Sequence, residues 1–376
     1  MAAPSERVFY RPRAKSLHHI ADTADAVTDL AARLARHASI ALDTEFLRER
    51  TYRAELCLIQ VSAADDAVCV DPIAVSDLAA LASPLTAAEV VKVMHASRQD
   101  LEVLLPAVGL VRPVFDTQIA AALAGFAAQI GYAELTRRLL GIELPKAHTR
   151  TDWSRRPLSP EQIEYAIDDV RHLVPLKLTL EEQLDKLGRL SWLAEELAQL
   201  ADARALVTDP EEAWRRLKGL RRLDPSRQRL ARALAAWRER RAMERNRPRG
   251  WILDDTALRE MIVRVPRSLA ALEAITEMPA GVVRHSGEEL LACVVAANVP
   301  DPAPALDVRQ RPDPAQSALV KKLGAVHQAV ATELGISPEV LATRRDLERL
   351  AEGDTDIAAL RGWRRAVLGE KLLSAS

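Results

Sequence analysis

Every segment of this chain that reads as a β-strand lies before residue 117, and almost everything after it has helical period. Ser39–Phe46, SIALDTEF, is apolar and then alternates, as a strand with one buried face does. Leu56–Ser62 and Ala67–Val70 are two more β-rich runs, and their short connections predict three antiparallel strands. Val90–Met94 predicts a fourth, buried strand, and Val114–Phe115 a short fifth after a helix over Arg98–Pro106. A sheet followed by helices is the order of an α/β domain. The clearest helix is Ser159–Leu178. Ser159 suits the N-cap, Pro160 the first helical position, and Gln162 completes a capping box. Ile163, Ala166, Ile167, Val170 and Val174 form its apolar stripe.

Length and composition divide the remainder. At 376 residues the chain is long enough for two or three domains. Aromatics are only 4% while Ala and Leu abound, a mix that favours helices. The pattern predicts an α/β domain over 1–208 and an all-helical domain over 209–298. A linker with five prolines follows over 299–315, and a last small helical domain spans 316–376. No apolar run reaches the roughly 18 residues that cross a bilayer, so no membrane partner is expected. Met1–Lys15 is polar and basic without an apolar stretch, which argues against a secretory signal. Cys57, Cys69 and Cys293 lack metal-site spacing and read as reduced thiols of a cytoplasmic protein.

Net charge is −1, but it is unevenly spread. Residues 209–250 hold fourteen Lys/Arg against six Asp/Glu, an excess of +8 that leaves −9 on the rest. A basic block beside an acidic body suits a polyanion partner, although a charge run also describes a solvated helix face. Arg238, Arg241 and Arg245 share one helix face at i, i+3 and i+7 and are candidates for phosphate contact. Lys146, Arg150, Arg155 and Arg156 surround a loop and are weaker candidates.

The acids carry the chemistry. Asp43 and Glu45 lie two apart on a predicted strand, so both project from one face. Acidic residues are poor strand formers, and two on one face after an apolar run call for a cation. Asp100 falls near a helix start, where the dipole also favours a carboxylate. Tyr165 and Asp169 stand at i and i+4 on the capped helix and share a face. Each feature alone also describes surface acids. Together they offer four carboxylates and a phenol, the oxygen-rich set that hard divalent ions take. Two such ions can hydrolyse a phosphodiester. There is no phosphate-binding G-x-x-x-x-G-K-[ST] loop, so no nucleotide cofactor is expected, and no H-E-x-x-H zinc site.

LDTEF (Leu42–Phe46), HxxxxD (His95–Asp100) and YxxxD (Tyr165–Asp169) resemble the three exonuclease motifs of the DEDD superfamily, Tyr subtype. Asp116–Leu123 and Arg150–Ala166 are similar to the ribonuclease D family, and the resemblance covers roughly residues 17–185. It implies a ribonuclease H-like α/β fold and two divalent ions, Mg²⁺ or Mn²⁺. By that likeness Asp43 would bridge both ions, and Glu45 and Asp169 would hold the ion that activates water. Asp100 would support the other ion, and Tyr165 would orient the water. Asp168 is a neighbour that spacing disfavours against Asp169. Thr44, Phe46, Leu47 and His95 are candidates for contact with the terminal nucleotide.

Trp214–Gly219 and Leu234–Leu258 resemble the HRDC domain, a helical bundle often used to hold nucleic acid. Leu341–Leu350 and Leu360–Glu370 resemble, more weakly, a second degenerate HRDC-type unit. Trp214, Trp237 and Trp251 would be core residues or base-stacking platforms. The resemblance implies a 3′→5′ exoribonuclease acting on RNA with a free 3′ end, transfer RNA precursors included. A DNA exonuclease or a binding scaffold with an inactive site are the alternatives.

Overall fold

The structure, a computed structural model, describes residues 20–64, 66–145, 151–200, 202–220, 223–297 and 314–376. Lys146, Arg150 and most of the proline-rich segment lie outside the described residues. Six strands form one sheet: β1 (Ile20–Ala21), β2 (Ser39–Leu47), β3 (Glu55–Ala63), β4 (Asp66–Val70), β5 (Val91–Met94) and β6 (Val114–Asp116). Their order is β1-β4-β3-β2-β5-β6. The sheet is mixed. β3 and β4 pair antiparallel, with Gln60 opposite Cys69, but β2 runs parallel to β5 and β5 to β6. β1 is not anticipated by the sequence, because its two residues are too few to show an alternation.

Period two sorts the strand residues between two cores. Ala41, Cys57, Cys69 and Val93 enter one, and Ile40, Leu42, Ile59, Val61 and Val70 enter the other. Helices cover both faces. α1 (Ala24–Leu34), α2 (Ala79–Thr86) and α3 (Arg98–Val108) pack with the Ile40 side, through Leu30, Leu81 and Leu104 among others. On the Ala41 side lie α4 (Thr117–Leu123), α5 (Tyr132–Leu140), α6 (Pro160–Arg171) and α7 (Leu173–Lys186).

The expected helix over Ser159–Leu178 is therefore two helices. Its start is as the sequence predicts: Gln162 N–H donates to Ser159 Oγ at 3.3 Å, and Ser159 N–H to Gln162 Oε1 at 2.7 Å. It breaks at His172. Pro175 has no N–H to donate to the carbonyl of Arg171, and its ring crowds that carbonyl. α8 (Leu190–Leu200) and α9 (Ala203–Leu206) follow.

The chain divides into two compact units, and the division departs from the expected one. The first comprises Met1–Leu47, Leu56–Leu206 and Pro314–Ser376; the second comprises Arg48–Glu55 and Val207–Asp313. The C-terminal helices α15 (Pro314–Leu334), α16 (Pro338–Leu341), α17 (Arg344–Ala351), α18 (Gly362–Arg364) and α19 (Glu370–Ala375) do not form a separate domain. Leu323, Val330, Leu347, Trp363 and Leu372 share one hydrophobic core with Ala41 and Val93 of the sheet. Trp363 stacks on Trp192 of α8, centroids 4.4 Å apart, and Arg364 pairs with Glu196 at 2.5 Å. Arg189 also reaches the Leu334 carbonyl at 2.5 Å. Each such aromatic or aliphatic side chain contributes about 1.5–3 kcal/mol by leaving water.

The second unit is helical, with α10 (Pro225–Arg245), α11 (Arg249–Ile252), α12 (Asp255–Arg264), α13 (Leu269–Glu273) and α14 (Ala280–Ala296). Its core gathers Leu234, Trp237, Leu258, Met261 and Leu290, with Tyr52 packed against it. Asp224 and Asp254 cap α10 and α12 by accepting two backbone N–H bonds each. No helix of the described residues is long and apolar enough to cross a membrane.

Candidate active site

β2 places Asp43 and Glu45 on the same face as Ala41, the face covered by α6. α6 presents Tyr165 and Asp169 one turn apart, and their side chains are hydrogen-bonded to each other. Asp100 comes from the first turn of α3 and is 8% exposed. Thr44 ties the two elements together, its hydroxyl donating to Asp100 Oδ1 at 2.6 Å. Three separate stretches thus bring four carboxylates and one phenol to one place.

Their electrostatics are those of like charges without compensation. Burial, then Asp100, Asp169 and Glu45, push Asp43 well above the usual carboxylate range. Glu45 rises to about 8, by burial and then by Asp169 and Asp100. Asp169 rises to about 7 through burial, eased by the Tyr165 hydroxyl. Asp100 rises to about 6 through burial, eased by Thr44. No cation ranks among the groups that set these four values. Burial and the neighbouring carboxylates also raise Tyr165, so it stays a neutral phenol with a proton to donate.

This donor set fits divalent cations. All the ligands are hard oxygens, and ions would favour the charged form that burial disfavours at each of them. The side chains are not preset as a cage. Among the described residues no group of three or more His, Cys, Asp or Glu is arranged to hold an ion.

Other sequence candidates divide. Asp168 pairs with Arg171 at 2.7 Å, which leaves Asp169 as the carboxylate facing Tyr165. Thr44 is 6% exposed and supports Asp100, so it is not a free contact for a nucleotide. His95 is a structural residue, because Nδ1 meets Thr117 Oγ1 at 2.9 Å and Nε2 meets the Ile130 carbonyl at 3.0 Å. Phe46 and Leu47, partly exposed at the end of β2, remain available. Arg156 is committed to Asp71 and the Cys57 carbonyl, and Arg155 to Asp152. Trp153 is core, tilted against Tyr165 with centroids 6.1 Å apart.

The arginine stripe is a correction. Arg238 is 8% exposed and donates to the Leu253 carbonyl at 2.9 Å and to Asp255 at 2.8 Å. Arg241 pairs with Glu244 and Glu289. Only Arg245 of the three is exposed. The i, i+3, i+7 spacing marks one helix face without saying whether water or protein covers it, and here part of that face is inside.

Two positioning residues escaped the sequence reading. Asp116 is 2% exposed and accepts five hydrogen bonds, from Ala96 N–H, Ser97 N–H and hydroxyl, and the N–H groups of Gln118 and Ile119. It fixes the turn before Asp100, where Ala96 sits at φ 54°. An Asp directly before a helical run is an N-cap signal that could have found it. Tyr132 donates to the Asp168 carbonyl at 2.9 Å and accepts from His172 N–H at 3.2 Å, stapling the break between α6 and α7.

Known proteins share this chain's sequence and its fold. The 3′-5′ exonuclease family matches residues 18–185 and the HRDC domain family residues 227–294. A ribonuclease D of Gluconacetobacter diazotrophicus is 42% identical over 363 residues, covering 94% of this chain and 91% of that protein. One of Granulibacter bethesdensis is 41% identical over 351 residues, covering 91% and 88%. The fold superposes on Escherichia coli RNase D, an exoribonuclease involved in structured RNA processing. The TM-score is 0.85 at 30% identity, over 96% of this chain and 98% of that one. The chain belongs to the ribonuclease D family, and with it to the 3′→5′ exoribonucleases that act on RNA with divalent metal ions.

Proposed function

We propose that Asp43, Glu45, Asp100 and Asp169 hold two divalent ions, Mg²⁺ or Mn²⁺, and that the site removes nucleotides singly from RNA 3′ ends as 5′-monophosphates. The observation that carries this reading is the meeting of four carboxylates from three separate segments, where burial raises all four and the others' charges raise Asp43 and Glu45 further. Such ions, when bound, supply positive charge beside the scissile phosphate and make a bound water more acidic. The protein does the rest. Asp43, raised by all three of the others, would hold both ions; Glu45 and Asp169 would hold the one that makes the attacking water more acidic, and Asp100 would support the other. Thr44 holds one oxygen of Asp100 in place. Tyr165 keeps its proton, so it orients the attacking water by hydrogen bonding. Phe46 and Leu47 bear on the terminal nucleotide.

The substrate we assign is structured RNA with an unpaired 3′ end, transfer RNA precursors foremost. A cytoplasmic setting belongs to the same reading, with Cys57 and Cys69 as buried core thiols. Digesting a 5′-labelled transfer RNA precursor beside a circular RNA, with Mg²⁺ or Mn²⁺, tests it. The expected result is a ladder shortened from the 3′ end, free mononucleotides and an intact circle. Cuts in the circle, or equal rates in chelator, would overturn it.

A further inference from the structure

Most arginines of the basic run in the helical unit already have acidic partners. One concavity of that unit is different. A groove of about 240 Å³ is lined by Arg245, Trp251, Ile252, Val282, His285 and Ser286, with Trp237, Pro279 and Gly281 completing it. No carboxylate is among its lining residues. Trp251, on α11, is 60% exposed, an unusual state for the side chain with the most apolar area to hide. Trp237, in the same groove, is 8% exposed, and its indole N–H is given to Glu289 at 2.7 Å. The Arg247 guanidinium lies over Trp251, 5.8 Å from the ring centroid. Gly281 adds no side chain, and a Cβ there would meet nothing within 4 Å.

An exposed indole beside cationic groups, in a concavity free of acids, has the chemistry of a stacking platform with a phosphate rim. We propose that this groove is a subsite for one unpaired nucleotide of the RNA, its base on Trp251 and its phosphate at Arg245 and His285. The identity of the ligand rests on the chain's being an RNA nuclease; the shape and charge of the groove do not. Ser286 and the backbone around Gly281 give the base edge its polar neighbours. A protein partner fits less well, because the groove is small and its one charged lining side chain is Arg245.

The full chain with a short single-stranded oligoadenylate, in chelator so that nothing is hydrolysed, tests this by fluorescence anisotropy. Trp251→Ala should weaken binding on the order of 5- to 100-fold, the worth of one base–aromatic stack. Trp251→Phe should keep most of the affinity. Gly281→Leu, which fills the groove while removing no aromatic, should weaken binding as Trp251→Ala does. Arg245→Gln should lower the salt dependence of log affinity by about 0.7. All four variants should hydrolyse a dinucleotide with Mg²⁺ at the parent rate, which separates failure of this subsite from failure of the four-acid site. Unchanged oligoadenylate affinity in folded Trp251→Ala and Gly281→Leu would overturn the proposal.

Discussion

The acidic cluster of the nuclease unit and the arginine-rich α10 of the helical unit handle charge in opposite ways. In α10 and its surroundings most of the described arginines have found an anion. Arg216 and Arg249 flank buried Glu239, Arg240 meets Glu211, Arg238 meets Asp255, and Arg241 meets Glu289. In the nuclease unit four carboxylates meet without a cation; burial lifts all of their pKa values, and their neighbours' charges lift Asp43 and Glu45 further. The dense charge run is largely spent on folding, while the sparse one is left uncompensated. Count along the sequence is therefore a poor guide to which charges are free for a ligand. Like-charge convergence from separate elements is a better one, because folding gains nothing from it.

The largest effect should come from breaking the uncompensated cluster. Asp43→Asn or Asp169→Asn should slow RNA hydrolysis by at least about a thousandfold, since an amide cannot supply the charge that holds the ions. Single-turnover assays on variants with parent-like circular dichroism measure this. Near-normal rates in folded Asp43→Asn would leave the contrast without functional meaning. Next is Tyr165→Phe, which removes one positioned donor. It should cut the bound-state rate by roughly ten- to a thousandfold while RNA affinity holds. A collapse of affinity with an unchanged bound rate would make Tyr165 a substrate contact instead.

Arg238→Ala sharpens the comparison from the other side. It leaves the Leu253 carbonyl without its donor and Asp255 without its partner, at a cost of about 1–3 kcal/mol. It should lower the melting temperature and leave the salt slope of RNA binding unchanged. A reduced slope would return Arg238 to the phosphate-binding set.

The smallest effect concerns pH. Glu45, Asp169 and Asp100 hold their protons up to about 8, 7 and 6 when folded, against ordinary values of 4.5, 3.8 and 3.8. Between those limits the folded chain binds more protons than the unfolded one. In chelator, stability should therefore fall as pH rises through this window, by a few degrees in melting temperature. Mn²⁺ should restore more stability near the top of the window than at its foot, because ions and protons compete for the same oxygens. Thermal melts across pH, with and without metal, check both signs.

Much of the active site was legible because each of its parts obeys a local rule. The apolar Ile40–Leu42 run fixes a strand, and period two then puts Asp43 and Glu45 on one side of it. The Ser159–Gln162 box fixes the start of α6, which sets Tyr165 and Asp169 one turn apart. Asp116 obeys such a rule as an N-cap, but its grip on the turn before Asp100 does not show in the sequence, since its donors Ala96 and Ser97 lie about twenty residues away. Other features depend on contacts that no window of sequence contains. The five prolines before α15 suggested a detached domain, yet Trp363 finds Trp192 and Arg364 finds Glu196, 168 residues earlier. Arg238 looks like any arginine on an amphipathic stripe until Asp255 and the Leu253 carbonyl are seen around it.

The way the C-terminal helices finish the nuclease core bears on how the enzyme comes into being. A chain made from its N-terminus exposes the sheet and all four acids long before Leu323, Trp363 and Leu372 are available to close the core around them. Contacts so far apart in sequence form late and slowly. The nascent nuclease therefore lacks part of its core until synthesis has passed residue 372, and the whole helical unit is made in the interval.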